Sequence, residues 1–217
     1  MEVIMRLRKK PEATDFLNAH PEYVIIQPSE WKSKMQEQFD KKQPLHIEIG
    51  MGKGDFMIGM AKKYPNINFI GIEKYDSVLY VALKKILEEE YISNLRLIRA
   101  DAIDLKDIFA EGEVERIYLN FSDPWPKTRH YKRRLVYKDY LAIYEHILVK
   151  QGVIEQKTDN RILFEFSLMS MNQYPMDFER VSLDLHHSEY AEGNIMTEYE
   201  RKFSVNGPIY QLVARFK

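Results

Sequence analysis

The stretch that decides the fold is residues 45–54, LHIEIGMGKG, in which an apolar run carrying one acid passes into a glycine-rich turn. Residues 45–49 have the composition of a buried β-strand, and residues 55–64 have the apolar spacing of an amphipathic helix. A strand, a glycine turn and a helix in succession open a βαβ unit. This stretch therefore predicts a parallel sheet covered by helices.

The same alternation continues towards the C-terminus. The pattern predicts strands at residues 67–73, 95–98, 117–121, 153–157, 178–185 and 209–216, and helices at residues 77–90, 105–109, 138–150 and 160–174. Only a loop and one helical turn, at residues 197–203, separate the last two strands, which favours an antiparallel pair. The predicted fold is a single Rossmann-like, doubly wound α/β domain. Its sheet is mostly parallel with an antiparallel C-terminal strand, and helices cover both faces.

Residues 1–43 precede this alternation and are predicted to form an N-terminal basic and helical extension, followed by one domain over residues 44–217. Helices are predicted at residues 11–17 and 28–39, the second with Ser29 as its N-cap. The extension opens with a basic cluster of Arg6, Arg8, Lys9 and Lys10. Two interpretations of that cluster stay open, a solvated terminus and an arm that contacts RNA.

Composition excludes several classes of site. The 217 residues include no cysteine, which excludes disulfides, thiolate catalysis and cysteine-bearing metal sites. With no signal peptide and no apolar run long enough for a bilayer, we expect a cytoplasmic protein without a membrane partner. His186 and His187 beside Glu189 are interpreted as loop residues, so no metal is expected. The net charge of −1 means that any nucleic-acid surface must come from local clusters of basic residues.

An acid stands at or near the end of each of the first four predicted strands: Glu48, Glu73, Asp101 and Asp123. The carboxyl ends of parallel strands meet at one edge of a doubly wound sheet, where ligands bind. A single acid in such a position usually caps the next helix. Four acids in register indicate a bound ligand.

The glycine turn narrows the choice of ligand. Glycines at 50, 52 and 54 fit neither G-x-G-x-x-G nor the Walker pattern, so a phosphate cradle is not predicted. Glu48 would repel a pyrophosphate and suits a cation, and Glu73 is placed to accept hydrogen bonds from ribose hydroxyls. S-adenosylmethionine carries an adenosine, a sulfonium and an ammonium but no phosphate, so these residues favour it over NAD. A NAD-dependent oxidoreductase remains the alternative.

The loop at residues 120–127, NFSDPWPK, follows the fourth predicted strand. Proline restricts the residue before it, so Asp123 and Trp125 are both predicted to be extended on a stiff loop. Trp125 either stacks on a base or packs in the core. A basic run follows directly, and it is interpreted as an RNA-phosphate surface or as a solvated helix start: Lys127, Arg129, Lys132, Arg133 and Arg134.

These segments carry a family resemblance. EIGMGKG at 48–54, GIE at 71–73, DA at 101–102 and NFSDPWPK at 120–127 resemble the bacterial tRNA (guanine-N7-)-methyltransferase family. RHYKRR at 129–134, KTDN at 157–160 and TEYE at 197–200 extend the resemblance over essentially the whole chain. The glycine motif alone is shared with many methyltransferases, whereas the proline loop with the basic run and the TEYE segment is specific.

The resemblance implies transfer of a methyl group from S-adenosylmethionine to N7 of a guanine in the variable loop of tRNA, by a monomer or a homodimer. It implies that Asp123 is catalytic and that the cofactor is bound by Glu48, Gly50, Gly52, Gly54, Glu73, Asp101, Ala102 and Asp123. It implies substrate binding by Lys127, Asp159, Thr197, Glu198, Tyr199 and Glu200. It implies RNA binding by Arg129, His130, Tyr131, Lys132, Arg133 and Arg134.

Guanine N7 has a lone pair and carries no proton, so its attack on a sulfonium methyl needs no general base. Asp123 is therefore interpreted as a residue that positions and stabilises, and Asp159 and Glu200 as acceptors for the Watson–Crick edge of guanine. Two alternatives stay open. The segment 123–125 distantly resembles the loop of amino methyltransferases that act on adenine, so an exocyclic amine of a nucleobase is the alternative methyl acceptor. The chain could also be a non-catalytic RNA-binding module.

Overall fold

The computed structural model describes residues 10–217, so Arg6, Arg8 and Lys9 of the basic cluster lie outside the described residues. The strands are β1 (Leu45–Ile49), β2 (Asn68–Glu73), β3 (Leu95–Arg99), β4 (Val114–Asn120), β5 (Leu148–Thr158), β6 (Met176–Ser182) and β7 (Tyr210–Phe216). The helices are α1 (Ala13–Asn18), α2 (Asp55–Lys63), α3 (Asp76–Leu87), α4 (Leu105–Ile108), α5 (Lys138–Ile147), α6 (Arg161–Gln173) and α7 (Glu198–Phe203).

The strands form one sheet in the order β3-β2-β1-β4-β5-β7-β6. Strands β1 to β5 pair in parallel, and β7 runs antiparallel to both β5 and β6. The predicted mostly parallel sheet with an antiparallel C-terminal strand is confirmed.

Apolar side chains hold helices on both faces of the sheet. One buried cluster joins Phe56 of α2 and Leu83 of α3 to Phe69 and Leu97 of the sheet. A second cluster packs α5 and α6 on the opposite face, with Leu141, Tyr144 and Leu163 against Ile117 and Ile154. Every residue of β2 is buried, as expected for a strand covered on both sides.

The described part of the N-terminal extension packs on the open edge of β3. Val24 forms an isolated parallel bridge with Leu97, and the N–H of Leu97 donates to the carbonyl of Tyr23 at 2.7 Å. Leu17, Tyr23 and Val24 join one buried cluster, and Met35 joins the other. Residues 10–43 thus shield an edge strand whose backbone groups would otherwise be unpaired. The boundary at residue 43 stays a prediction.

The first predicted helix is present as α1, but the predicted helix over residues 28–39 is wrong. The chain forms two 3₁₀ turns there, Pro28–Trp31 and Met35–Gln38. Ser33 between them adopts a positive φ of 68°, which a continuous helix does not allow. Ser29 makes no capping hydrogen bond.

Within residues 10–217, no helix combines the length and the apolarity that crossing a membrane requires.

Substitution of Met35 tests whether the extension belongs to the core. Met35 is 0% exposed, whereas Met169 on α6 is 64% exposed. We expect Met35→Ala to lower the free energy of unfolding by about 2–5 kcal/mol, because it leaves a cavity in packed apolar surroundings. Met169→Ala is the matched control and should change it by less than about 0.5 kcal/mol. Urea denaturation followed by circular dichroism measures both, and equal effects would show that the extension is an appendage.

Candidate active site

The four strand-end acids lie along one edge of the sheet. Glu48 belongs to β1, Glu73 ends β2, Asp101 follows β3 and Asp123 follows β4. These strands are parallel neighbours in the order β3-β2-β1-β4, so their carboxyl ends meet. The topology therefore gathers the acids at the edge where doubly wound sheets bind ligands.

Glu48 is buried at this edge, and its Oε1 accepts a hydrogen bond from Nδ2 of Asn120 at 2.8 Å. Among residues 10–217, neither Oε2 of Glu48 nor Oδ1 of Asn120 has a hydrogen-bond partner. Burial raises the pKa of Glu48 to about 8, although the Asn120 hydrogen bond and the charge of Lys157 oppose the rise. Two buried acceptors without donors complement a ligand that carries a cationic N–H group.

The glycine turn is tied to the end of β2. The N–H groups of Gly50 and Met51 donate to the carbonyl of Ile72 at 2.9 and 3.0 Å. Gly50 and Gly52 adopt φ of 77° and 57°, a region that favours glycine, and a Cβ at either would meet no atom within 4 Å. The turn thus presents bare backbone to open space beside Glu48.

Glu73 links the glycine turn to the neighbouring loop. Its Oε2 accepts the N–H of Gly52 at 3.3 Å, and its Oε1 accepts the N–H groups of Lys74 and Tyr75 at 2.8 and 3.1 Å. Burial raises the pKa of Glu73 against these three hydrogen bonds, and the charge of Asp123 adds a smaller upward contribution. Glu73 and Asp123 therefore lie close enough to interact electrostatically.

A cavity of about 290 Å³ lies between the glycine turn and α7. Its walls include predicted cofactor residues and predicted substrate residues together: Glu48, Gly50, Gly52, Gly54, Thr197, Glu198 and Tyr199. The other predicted cofactor residues do not line it: Glu73, Asp101, Ala102 and Asp123. Asp101 accepts the N–H of Ile103 at 3.5 Å as a helix cap and forms an ion pair with Lys74. Of the four strand-end acids, Glu48 therefore lines the cavity, and the other three lie outside its lining.

A larger cavity of about 370 Å³ lies against the sheet beside α2, where His46, Arg116 and Glu155 line it. It contains none of the predicted site residues. Its polar groups largely satisfy one another, for example Arg116 with Glu155 at 2.9 Å and Gln211 with Glu155 at 2.8 Å. The unpartnered acceptors of Glu48 and Asn120 identify the smaller cavity as the better ligand site.

The proline loop leaves β4 with an unusual backbone. Phe121 and Trp125 have positive φ values of 52° and 42°. The prediction that Trp125 is extended is therefore wrong. Asp123 lies between these two residues and is exposed. Positive φ at bulky residues is strained and is concentrated at functional sites.

The basic run divides into exposed and buried parts. Lys127, Arg129, Lys132 and Arg133 are exposed, whereas Arg134 is buried. The predicted RNA contact by Arg134 does not fit this position. Trp125 is half-buried against the run rather than in the core, with its ring 5.7 Å from that of His130 and 4.9 Å from the guanidinium of Arg133.

Asp159 contacts Tyr199, which lines the cavity. The hydroxyl of Tyr199 donates to Oδ2 of Asp159 at 3.0 Å, and the ring of Tyr199 lies 5.1 Å from that of Phe121. Asp159 is exposed and directly follows β5. These contacts join the KTDN and TEYE segments to the proline loop.

Glu200 is 0% exposed, so the predicted contact with guanine does not fit its position either. Its carboxylate accepts from Nζ of Lys157 at 2.7 Å, from His186 at 2.8 Å and from Asn194 at 2.7 Å. Burial opposes its ionisation, but the charge of Lys157 and these hydrogen bonds lower its pKa overall. It also closes a capping box with Thr197 at the start of α7. Glu200 lies in the TEYE segment that was predicted to belong to the site. Its role in holding α7 depends on these partners.

Three residues that contact predicted site residues were not themselves predicted: Lys53, Lys85 and Asn120. Glu198 pairs with Lys53 at 2.6 Å and with Lys85 at 3.0 Å, and the Lys53 hydrogen bond is the main reason that its pKa is lowered. Asn120 is the direct partner of Glu48. The sequence signal for Asn120 is an amide at the end of an apolar strand. No sequence pattern indicates that Lys53 and Lys85 pair with Glu198.

Residues 10–217 hold no group of three or more His, Cys, Asp or Glu side chains that could bind a metal ion. His186 bonds Glu200 and His187 bonds Asp184.

Comparison with known proteins identifies the family of this chain. Residues 42–212 match a family model described as "Putative methyltransferase". The chain is 58% identical over 214 residues to a tRNA (guanine-N(7)-)-methyltransferase of Limosilactobacillus reuteri (strain DSM 20016), covering 98% of this chain and 100% of the relative. It is 55% identical to the protein of that name from Pediococcus pentosaceus, covering 98% and 100%.

Among solved structures, the 16S rRNA methyltransferase KamB aligns with a TM-score of 0.62 at 11% identity, covering 83% of this chain and 91% of that one. At this identity the likeness supports the methyltransferase fold alone. The identity to the relatives extends over nearly the whole of both chains. This chain therefore belongs to the tRNA (guanine-N(7)-)-methyltransferase family.

Proposed function

We propose that this chain transfers a methyl group from S-adenosylmethionine to N7 of a guanine in the variable loop of tRNA. The observation that carries the proposal is the buried Glu48–Asn120 pair, whose two free acceptors face a ligand cavity at the sheet edge. Relatives at 55–58% identity bear the name of this activity.

The residues of the edge fit S-adenosylmethionine, which supplies a methyl group on a cationic sulfur when it is bound. Glu48 and Asn120 offer acceptors to its positively charged end, and the bare backbone of Gly50 and Gly52 leaves room for it. Glu73 keeps acceptor capacity for ribose hydroxyls beside its three backbone hydrogen bonds. A pyrophosphate would face two acids here, which disfavours NAD.

Asp123 is the proposed catalytic residue. N7 of guanine needs no deprotonation, so a carboxylate beside it contributes by orienting the base and by stabilising positive charge as it develops on the ring. The rigid loop, with two residues at positive φ, holds Asp123 near Glu73.

Recognition of the base is proposed for Asp159, Thr197 and Tyr199, since Thr197 and Tyr199 line the cavity and Asp159 accepts a hydrogen bond from Tyr199. Direct contact by Glu200 is not proposed, because its side chain is fully buried. Lys127, Arg129, Lys132 and Arg133 remain as exposed cations that bind tRNA phosphates.

Product analysis tests the proposed function. The protein is incubated with labelled S-adenosylmethionine and an unmodified tRNA transcript, and the modified nucleoside is identified after digestion. We expect 7-methylguanosine at a single position in the variable loop. A base methylated on an exocyclic amine would favour the alternative amino methyltransferase. Binding of tRNA without any cofactor affinity would favour a non-catalytic module.

Removal of the Asp123 charge tests its role. We expect Asp123→Asn to lower kcat by about 10²–10³-fold, the range measured for preorganised electrostatic groups. The Kd for tRNA should change by no more than about twofold, as for an ordinary surface substitution. Asp177→Asn is the control, because Asp177 is an exposed acid near the start of β6, away from the carboxyl edge. A larger effect on Kd than on kcat would contradict this role.

Binding of S-adenosylmethionine should depend on the protonation of Glu48. The carboxyl group is neutral below its raised pKa of about 8, and a bound cation favours the ionised form. Affinity should therefore rise as the pH increases from 6 to 8, with a proton released on binding in that range. The polar groups that act on Glu48 are Asn120, Lys157 and Glu73. The control variant described next leaves all three unchanged.

Calorimetry in buffers of different ionisation enthalpy measures both quantities. Glu48→Gln is the control, because it removes the titration of the Glu48 carboxyl group and keeps that of the amino group of S-adenosylmethionine. An identical pH dependence in the wild type and this variant would contradict the prediction.

A further inference from the structure

Two adjacent arginines of the basic run have opposite environments. Arg133 is exposed, whereas Arg134 is 1% exposed and is among the largest fully buried side chains of the described residues. The guanidinium of Arg134 lies between two rings, 3.9 Å from the centroid of Tyr131 and 4.4 Å from that of Phe166 on α6. No carboxylate within residues 10–217 lies within ion-pair distance of it.

The hydrogen bonds of Arg134 go to the loop that carries Asp123. Its Nε donates to the carbonyl of Pro124 at 2.8 Å, and its Nη2 donates to the carbonyl of Trp125 at 3.2 Å. Two donors of one planar fork therefore bridge two successive carbonyls. A lysine has no such fork and does not stack between rings in the same way.

The loop needs an external support of this kind. Phe121 and Trp125 both have positive φ, and such strain persists only where neighbouring groups over-determine the backbone. At its start, the N–H of Phe121 donates to the carbonyl of Lys157 at 2.8 Å. At its far side, Arg134 donates two hydrogen bonds to loop carbonyls, and the Trp125 ring also contacts His130 and Arg133. Asp123 lies between these two attachments.

We propose that Arg134 is a positioning residue, which holds residues 121–126 and through them Asp123 in the geometry that methyl transfer requires, and that it does not bind tRNA phosphates. The inference rests on the proposed function, because the kcat that tests it is that of methyl transfer to tRNA. Arg133, with its guanidinium exposed over the Trp125 ring, is the phosphate-binding member of the pair.

Substitution of each arginine separates the two roles. Arg134→Lys keeps the charge and removes the fork, and we expect kcat at saturating tRNA to fall about ten- to a hundredfold through misplacement of Asp123. The slope of log Kd for tRNA against log salt should stay unchanged. Arg133→Ala should reduce the magnitude of that slope by about one, for the loss of one phosphate contact.

Phe166→Leu is a second variant that keeps Arg134 and removes one of its stacking rings. It should lower kcat in the same direction without changing the salt slope. Calorimetric affinity for S-adenosylmethionine verifies that each variant is folded. The proposal is overturned if Arg134→Ala reduces the salt slope as Arg133→Ala does, or if Arg134→Lys and Phe166→Leu both retain wild-type kcat.

Hydrogen–deuterium exchange keeps this test separate from the test of the proposed function. Arg134→Lys should accelerate exchange in residues 121–126, and Arg133→Lys should not. If the wild type formed no 7-methylguanosine, the proposed function would be wrong. The exchange rates in residues 121–126 would still decide whether Arg134 supports the loop. Equal exchange in both variants would overturn the proposal even in an active enzyme.

Discussion

The carboxyl group of Glu48 is buried at the end of β1 with one hydrogen bond, and its second oxygen has no partner among residues 10–217. An ionised carboxylate in such a place is costly, so burial shifts it towards the neutral form. A ligand that brings a positive charge offsets this cost. Glu73 and Asp123 add negative charge around the same edge. The charges at this edge therefore favour a cationic ligand.

Buried cations hold the segments that border this acidic edge. Lys157 is 1% exposed and binds Asn194, the carbonyl of Ile195 and Glu200, which fixes the segment that leads into α7. Arg134 does the same for the proline loop through the carbonyls of Pro124 and Trp125. Positive groups in the interior thus hold the backbone, whereas the cations proposed to bind phosphates are exposed.

The fold and the acidic edge were predictable because each follows from a periodic pattern. Apolar strands that alternate with amphipathic helices allow little besides a parallel sheet, and the topology then places strand-end acids such as Glu48 and Glu73 side by side. The interpretation of Glu48 as a partner for a cation needed only its place beside the glycine turn.

Other features depend on contacts that are distant in the chain. Arg133 and Arg134 are indistinguishable in sequence, and the rings of Tyr131 and Phe166 decide which one is buried. The predicted guanine contact of Glu200 follows from its carboxylate and its TEYE segment, whereas its burial against Lys157 and His186 depends on contacts that the sequence does not show. The rule for residues before proline predicts an extended Trp125, but the hydrogen bond from Arg134 to its carbonyl helps to hold it at positive φ.

The location of the cofactor's positive charge tests this account most directly. A crystal structure of the chain with S-adenosylmethionine measures it. The predicted result places the charged end within hydrogen-bond distance of Oε2 of Glu48 and Oδ1 of Asn120, with the ribose hydroxyls at Glu73. A cofactor bound in the larger cavity beside α2, or bound at the edge with Glu48 still unpartnered, would contradict it.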